Sequence, residues 1–176
     1  MTEPITSENC HLLTPLDLFY WSLEQIVIQG QRSLDGDLRC SYRTRDDLTG
    51  NILKCAAGHC IPDDAYDPVM EHIALDTPGE LAGAALGHSR LNAYFNGRFS
   101  VDQLKAIKCA QIVHDHGSLP AIHTLAASTG VITFEVLQEA LAVYRPHYPD
   151  DAAIILLLDA VEYTSGVAAY EYFLKD

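Results

Sequence analysis

Three of the five cysteines and one of the eight histidines fall within residues 39 to 66, and these residue types bind zinc or act as nucleophiles. Cys55, His59 and Cys60 are close in sequence, and a hairpin would bring Cys40 opposite them. Zinc hairpins usually place two ligands two residues apart at each of two corners, whereas Cys55 and Cys60 are five positions apart. The spacing favours buried, reduced thiols, with zinc at Cys55, His59 and Cys60 as the alternative.

A reactive thiol is the second chemistry that this segment suggests, because His59 precedes Cys60 directly. A nucleophilic thiolate needs a base and electropositive surroundings. Adjacent side chains on a strand point to opposite sides, and nearby carboxylates would raise the pKa of a thiol. The sequence also has no phosphate loop, dinucleotide fingerprint or serine elbow. We therefore expect no catalytic residues, metal or cofactor, and we keep a thiol-dependent enzyme as an alternative.

A second group of possible metal ligands follows in the sequence His114, Asp115, His116, with His123 further along. On a helix, residues two positions apart point about 200° away from each other, so the two imidazoles would not converge. Histidines near the C-terminus of a helix interact favourably with its dipole. We predict that this role explains the two histidines better than metal binding does.

The charge is strongly acidic, with 24 acidic residues, 11 basic residues and a formal net charge of −13. A chain of this charge repels phosphate backbones, which argues against direct nucleic-acid binding. No Lys or Arg occurs between Lys54 and Arg90. The acids in that interval are Asp63, Asp64, Asp67, Glu71, Asp76 and Glu80. They serve either solubility or an acidic surface that meets a basic partner.

Neither the apolar runs nor the N-terminus indicates a membrane or secretory protein. The longest apolar run, residues 152 to 161, is interrupted by Asp159 and is much shorter than a membrane span. Residues 1 to 13 have no basic region followed by an apolar stretch, as a signal peptide would have. We expect a cytoplasmic protein without membrane contact, in which cysteines stay reduced.

Aromatic residues are concentrated late in the chain, where Tyr170, Tyr172 and Phe173 are close together. Tyrosine is common in interfaces because it is apolar and can still hydrogen-bond. This segment could also form a homodimer contact. The predicted partner-binding residues are Asp63, Asp64, Asp67, Glu71, Tyr66, Tyr170 and Tyr172.

Residues 12 to 30 carry the clearest helix signal. Thr14 is a good N-cap, Pro15 suits the first helical position, and Gly30 is a stop signal. A second clear helix starts after Ser100 and ends at Gly117, and a third follows Thr133.

Residues 38 to 61 are predicted to form an antiparallel hairpin with a loop at 45 to 50. This register pairs Thr44 with Asn51, Tyr42 with Leu53, and Cys40 with Cys55. Alternation then places Cys40, Tyr42, Leu53 and Cys55 on the side that packs against the helices.

The expected fold is an α+β, predominantly helical single domain of five to seven helices around a small antiparallel β-hairpin at about 39 to 61. We divide it into a polar arm (1 to 11), a helix (12 to 30), the hairpin (38 to 61) and a helical bundle (77 to 176). Within the bundle, weak helices are predicted near 79 to 86 and 89 to 95. Further helices are predicted at 119 to 129 and 152 to 163, with a last helix or strand at the end of the chain.

Residues 40 to 71 resemble a group of small uncharacterised proteins, many of them encoded by bacteriophages and prophages. The recurring pattern is Cys-x-Tyr-Arg, a polar turn, Lys-Cys-Ala-x-Gly, two variable residues, Ile-Pro-Asp, then Tyr and Met-Glu. The matching residues are Cys40, Tyr42, Arg43, Lys54, Cys55, Ala56, Gly58, Ile61, Pro62, Asp63, Tyr66, Met70 and Glu71. His72 stands where the pattern has Gly, and His59 and Cys60 occupy the variable positions, which argues further against zinc.

The resemblance implies a phage or prophage accessory protein that acts in the bacterial host cytoplasm, and it carries no known activity. Together with the charge, it leads us to expect a non-enzymatic protein that binds and inhibits or modulates a host protein, such as a defence or nucleic-acid-handling enzyme. Neutralising Asp63, Asp64 and Asp67 together is then expected to weaken capture of the partner. A structural or self-assembling phage protein is a further alternative.

Overall fold

The computed structural model describes residues 3–35, 40–71, 73, 86–115, 132–144 and 147. These residues form five α-helices, one two-stranded antiparallel sheet and two short 3-10 helices, which confirms the expected α+β, mainly helical class. The helices are α1 (Pro15–Gln29), α2 (Ala56–His59), α3 (Leu86–Arg98), α4 (Val101–Asp115) and α5 (Phe134–Tyr144). The strands are β1 (Arg43–Arg45) and β2 (Ile52–Lys54), and the 3-10 helices are Cys10–Leu12 and Pro68–Met70. Within these ranges, no helix combines the length and apolar composition needed to cross a membrane.

Helix α1 begins and ends where its capping residues predict. The Thr14 side chain accepts a hydrogen bond from the Asp17 backbone N–H, which satisfies one free donor of the first turn. Gly30 ends the helix in the left-handed conformation, with φ 78°, which suits a residue without a Cβ. At the end of the predicted polar arm, Cys10 is fully buried, and residues 10 to 12 form a 3-10 helix.

Helix α4 starts with a reciprocal capping box. The Gln103 backbone N–H donates to Ser100 Oγ, and the Ser100 backbone N–H donates to Gln103 Oε1. The Gln103 amide nitrogen also donates to the carbonyls of His11 and Leu13, at 2.8 and 2.7 Å. One side chain thus starts α4 and holds the N-terminal segment against it.

The hairpin register differs from the prediction by two residues. Cα partners are Arg43 with Lys54, Thr44 with Leu53, and Arg45 with Ile52. The connection spans Asp46 to Asn51, where the Asp46 N–H donates to the Asn51 carbonyl and Gly50 takes a positive φ of 74°. A shift of two keeps the same side chains on each face, so Tyr42, Leu53 and Cys55 are buried as expected.

The second strand of the hairpin ends earlier than predicted, and residues 56 to 59 are helical. Cys55 is the N-cap of α2, its sulfur accepts the Gly58 N–H at 3.4 Å, and Cys60 is the C-cap. Cys40 forms an isolated bridge with Leu34 and does not pair with Cys55. The predicted pairing of Cys40 with Cys55 is therefore wrong, because the chain leaves the sheet after Lys54.

Two clusters of buried side chains form the core of the described residues. The first lies between α1, α4 and α5, and α1 makes its most extensive packing with α4. The second joins the N-terminal turn, the hairpin, α2, α3 and α4. The predicted helices at 119 to 129 and 152 to 163 and the last segment lie outside the described residues, as does most of the predicted helix near 79 to 86.

Gly58 packs against the hairpin backbone, which gives a test of this contact. A Cβ at Gly58 would lie 2.1 Å from the Tyr42 carbonyl oxygen, so Gly58→Ala must displace the backbone. We expect it to lower the free energy of unfolding by about 1–3 kcal/mol, measured by urea denaturation.

Gly97 is the matched control, because it is also helical and a Cβ there meets nothing within 4 Å. Gly97→Ala should leave stability unchanged or raise it by up to about 1 kcal/mol. Equal effects of the two substitutions would contradict the Gly58 contact.

Candidate functional site

The Glu71 carboxylate lies at the centre of the contacts within residues 40 to 71. Its two oxygens accept the backbone N–H groups of Tyr42 and Arg43, each at 2.9 Å. The Tyr66 hydroxyl donates to Glu71 Oε1 at 2.7 Å, and burial, followed by this bond, raises the pKa of Tyr66. The Glu71 carboxylate thus makes its hydrogen bonds within the protein, and these bonds hold residues 66 to 71 against strand β1.

Arg43 connects the same segment to the preceding turn. Its Nη2 donates to the Ile61 carbonyl at 3.0 Å and pairs with Asp63 Oδ1 at 2.9 Å. Its guanidinium also lies over the Tyr66 ring, 4.2 Å from the centroid, as in a cation–π contact. Lys54 Nζ pairs with the same Asp63 oxygen at 2.8 Å. Lys54, followed by Arg43, keeps the pKa of Asp63 below its usual value.

These contacts explain the residue pattern at 40 to 71 physically. Tyr42 and Arg43 present their N–H groups to Glu71, and Gly58 allows the backbone of α2 to approach Tyr42. Cys55 caps α2, and Lys54 and Arg43 hold Asp63. The pattern therefore describes one folded unit that is held together by its own polar side chains.

The predicted partner-binding residues differ in how much of each side chain remains accessible. Asp67 caps the second 3-10 helix by accepting the Val69 N–H and pairs with Arg90 at 2.9 Å. The side chain of Asp63 is 80% exposed although it is ion-paired twice. Asp64 is exposed and has no ion pair with the described residues. Tyr170 and Tyr172 lie outside the described residues.

The cysteines of the proposed zinc set point into the core. Cys55 and Cys60 are fully buried, and Cys60 Sγ lies 3.8 Å from Ser22 Oγ and 3.7 Å from the Ala56 carbonyl oxygen. His59 Nε2 is buried and has no hydrogen-bond partner within the part of the chain that the structure describes. Among the described residues, no three His, Cys, Asp or Glu side chains are arranged to hold a metal ion.

His114, which belongs to the second group of possible metal ligands, is fully buried and contacts residues outside its own helix. Its Nε2 lies 3.4 Å from the Ser33 backbone N–H, which donates to it. The neighbouring Gln111 accepts the Ala57 N–H at 3.1 Å and donates to Cys40 Sγ. His114 and Gln111 thus join α4 to Ser33, Cys40 and α2. His116 and His123 lie outside the described residues.

Helices α1 and α5 pack together and carry four carboxylates but no Lys or Arg. Asp17 and Glu135 lie in the first turns, where a negative charge interacts favourably with the helix dipole. Glu24 and Glu139 lie further along, are exposed, and have no ion pair or side-chain hydrogen bond with the described residues. Within the described part of the chain, these two carboxylates are thus exposed and unpaired.

Two tyrosines accompany Glu24 and Glu139. Burial, together with the charge of Glu139, raises the pKa of Tyr20, and burial, together with Glu24, raises that of Tyr144. Each carboxylate thus acts on a tyrosine of the other helix, which places all four side chains in one region. We call Tyr20, Glu24, Glu139 and Tyr144 the acidic helix face.

Exposed apolar side chains flank the acidic helix face. Ile28 is 77% exposed one helical turn after Glu24, and Val143 is 51% exposed one turn after Glu139. No short-range pattern in the sequence marks this face, because Glu24 and Glu139 are 115 positions apart in the chain. The lack of basic residues in both helices was the available signal.

An open groove of about 640 Å³ lies between the end of α1 and the hairpin loop. Gln29 forms one wall, and its amide accepts the Lys54 N–H at 2.7 Å and donates to the Lys54 carbonyl at 3.1 Å. His59 also lines the groove, but its buried Nε2 is shielded from solvent.

No protein-family model matches this chain, and comparisons with curated proteins and with solved structures find no significant similarity.

Removing the Glu71 carboxylate tests whether it holds this segment together. Glu71→Ala leaves the N–H groups of Tyr42 and Arg43 without their acceptor, so we expect a loss of about 2 kcal/mol or more in the free energy of unfolding. Urea denaturation measures it.

Asp64→Ala is the control, because it removes another carboxylate from the same surface region. It should change the free energy of unfolding by less than about 0.5 kcal/mol. If both substitutions cost the same, the hydrogen bonds to Glu71 do not stabilise the segment.

His59 makes the stability depend on pH. Burial, assisted by the positive charge of Lys54, lowers the pKa of His59 to about 3 from a usual value of 6.5. Between these values the unfolded chain binds more protons than the folded protein, so stability falls as the pH decreases below 6.5. The contribution is at most about 1.4 kcal/mol for each pH unit.

Replacing His59 by Gln removes this proton-binding group. We expect His59→Gln to lose less stability than the wild type between about pH 7 and about pH 5, by about 1–2 kcal/mol. Urea denaturation at the two pH values measures the difference, and equal losses would mean that His59 is protonated in the folded state.

Proposed function

We propose that this chain is a non-enzymatic binding protein that engages a basic surface of a partner protein through the acidic helix face. The observation that carries the proposal is the pair Glu24 and Glu139, exposed on two packed helices without Lys or Arg. A charged group that is ion-paired within the protein contributes less to the electrostatic field outside it. Glu24 and Glu139 have no such partner among the described residues.

The composition of the face supports protein recognition. Tyr20, which is half-buried, provides an amphipathic ring, and the exposed Ile28 and Val143 provide apolar area beside the charges. Interfaces commonly combine an apolar, aromatic centre with polar groups at the rim. Carboxylates in this position would accelerate association with a basic surface by electrostatic steering.

The acids at 63 to 71 are a weaker choice for this role. Asp63 and Asp67 pair with Arg43, Lys54 and Arg90, and Glu71 binds backbone N–H groups. Three of the four carboxylates thus have internal partners. Asp64 is the member of this set that remains a candidate for partner contact.

The resemblance at residues 40 to 71 supports a proposal about the origin of the protein and the place where it acts. We propose a phage- or prophage-encoded accessory protein that acts in the cytoplasm of a bacterial host and binds a host protein. An enzyme that handles nucleic acids fits the charge, since such enzymes present basic surfaces to phosphate backbones. The acidic helix face would then inhibit by occluding that surface.

Capture from bacterial lysate tests this function. The tagged wild-type chain should retain a host protein at low salt, and the amount should fall at high salt because counter-ions screen the charges. The double variant Glu24→Gln with Glu139→Gln should retain less of this host protein, by a factor of about five or more. Mass spectrometry of the captured material measures both effects.

Two further variants make the result specific. Glu3→Gln with Asp47→Asn removes the same number of charges from exposed positions elsewhere and should leave capture unchanged. A loss of capture in this control would mean that total charge matters and not the acidic helix face. A loss confined to Asp64→Asn would instead assign the contact to the turn at 62 to 67.

A further inference from the structure

Strand β2 has one backbone position on its outer edge that is open to another chain. Hydrogen-bonded and non-hydrogen-bonded pairs alternate along an antiparallel ladder. The Asp46 N–H bonds to the Asn51 carbonyl across the hairpin. The N–H and carbonyl of Lys54 point outward and bond to the Gln29 amide. Ile52, two residues before Lys54, therefore directs its N–H and carbonyl to the same edge, where neither has a partner among the described residues.

The groove between the end of α1 and the hairpin loop includes Ile52 in its lining, together with amide side chains. Three of these amides make no hydrogen bond to the described residues, namely those of Gln25, Gln31 and Asn51. An amide both donates and accepts, as a peptide backbone does. The exposed side chains of Ile28 and Ile52 add apolar area to the same groove. This lining suits an extended peptide, which combines backbone donors and acceptors with side chains that alternate in direction.

The charge of the groove favours a basic peptide over an acidic one. Asp46 lines the groove, and none of its described lining residues is Lys or Arg. The hydrogen bond from the Thr49 hydroxyl keeps the pKa of Asp46 below its usual value, so this carboxylate is charged at neutral pH. The formal net charge of −13 acts in the same direction, because it attracts cations and repels anions.

We propose that this groove binds a short, extended segment of a partner protein that carries Lys or Arg. The backbone of the segment pairs with the N–H and carbonyl of Ile52, and a basic side chain approaches Asp46. The Gln29 amide already occupies the position of a neighbouring strand at Lys54, so the segment pairs with β2 at Ile52 alone. The site does not depend on the acidic helix face, because it uses different charged groups.

NMR titration of the isotope-labelled full chain tests the site, with a capped peptide in which valine and lysine alternate as the probe. We expect saturable shifts of the backbone amide signals of Asn51 and Ile52. The same peptide with glutamate in place of lysine should bind more weakly by a factor of about ten or more, because like charges repel. Methylation of the peptide nitrogens removes the N–H donors without changing the charge, and it should weaken binding about tenfold.

Three variants of the chain locate the charge that the lysine peptide contacts. Asp46→Asn keeps an oxygen that can accept the N–H groups of the loop but removes the charge, so it should weaken binding about fivefold. Asp47→Asn removes an adjacent exposed charge from outside the described lining of the groove and should leave binding unchanged. Glu139→Gln, which changes the acidic helix face, should also leave it unchanged.

The proposal is wrong if the lysine peptide does not bind saturably, or if the lysine and glutamate peptides bind equally well. Shifts confined to residues outside the groove would also overturn it. A change of the Ile52 signal with protein concentration, in the absence of peptide, would assign this edge to a second copy of the chain instead. The peptide series uses the wild-type chain, so it decides the question even if a variant fails to fold.

Discussion

The bidentate contact between the Glu71 carboxylate and the N–H groups of Tyr42 and Arg43 is the constraint on which the hairpin region depends. A carboxylate that accepts backbone N–H groups forms charge-assisted bonds, which are shorter and stronger than neutral ones. Because Glu71 is fixed, Tyr66 and Asp63 are brought to Arg43. A segment with little regular structure therefore keeps one conformation.

This arrangement changes how the high negative charge is to be understood. An acid-rich stretch without Lys or Arg in sequence still acquires cations in space, because Arg43 and Lys54 approach from the hairpin and Arg90 from α3. Local neutralisation makes the turn at 62 to 67 less acidic than its composition indicates. Among the described residues, Glu24 and Glu139 are exposed carboxylates without an ion pair, on two packed helices that carry no basic residue.

The structural features that could be predicted from the sequence are those that local interactions determine. The ends of α1 follow from Thr14, Pro15 and Gly30, whose effects act within one helical turn. The hairpin register was wrong by two residues because the positive φ of Gly50 places the connection one residue later than expected. The contact of Glu71 with Tyr42, and the meeting of α1 with α5, join distant parts of the chain and have no local signal.

The amide of Gln29 has a consequence for association between molecules. It hydrogen-bonds to the N–H and to the carbonyl of Lys54, as a neighbouring strand would. On the opposite edge of the hairpin, the Glu71 carboxylate accepts the N–H of Arg43. Side chains thus terminate the sheet on both flanks, and such margins otherwise recruit strands from other chains. Oligomerisation or amyloid-like growth through this ribbon would first require these side chains to be displaced.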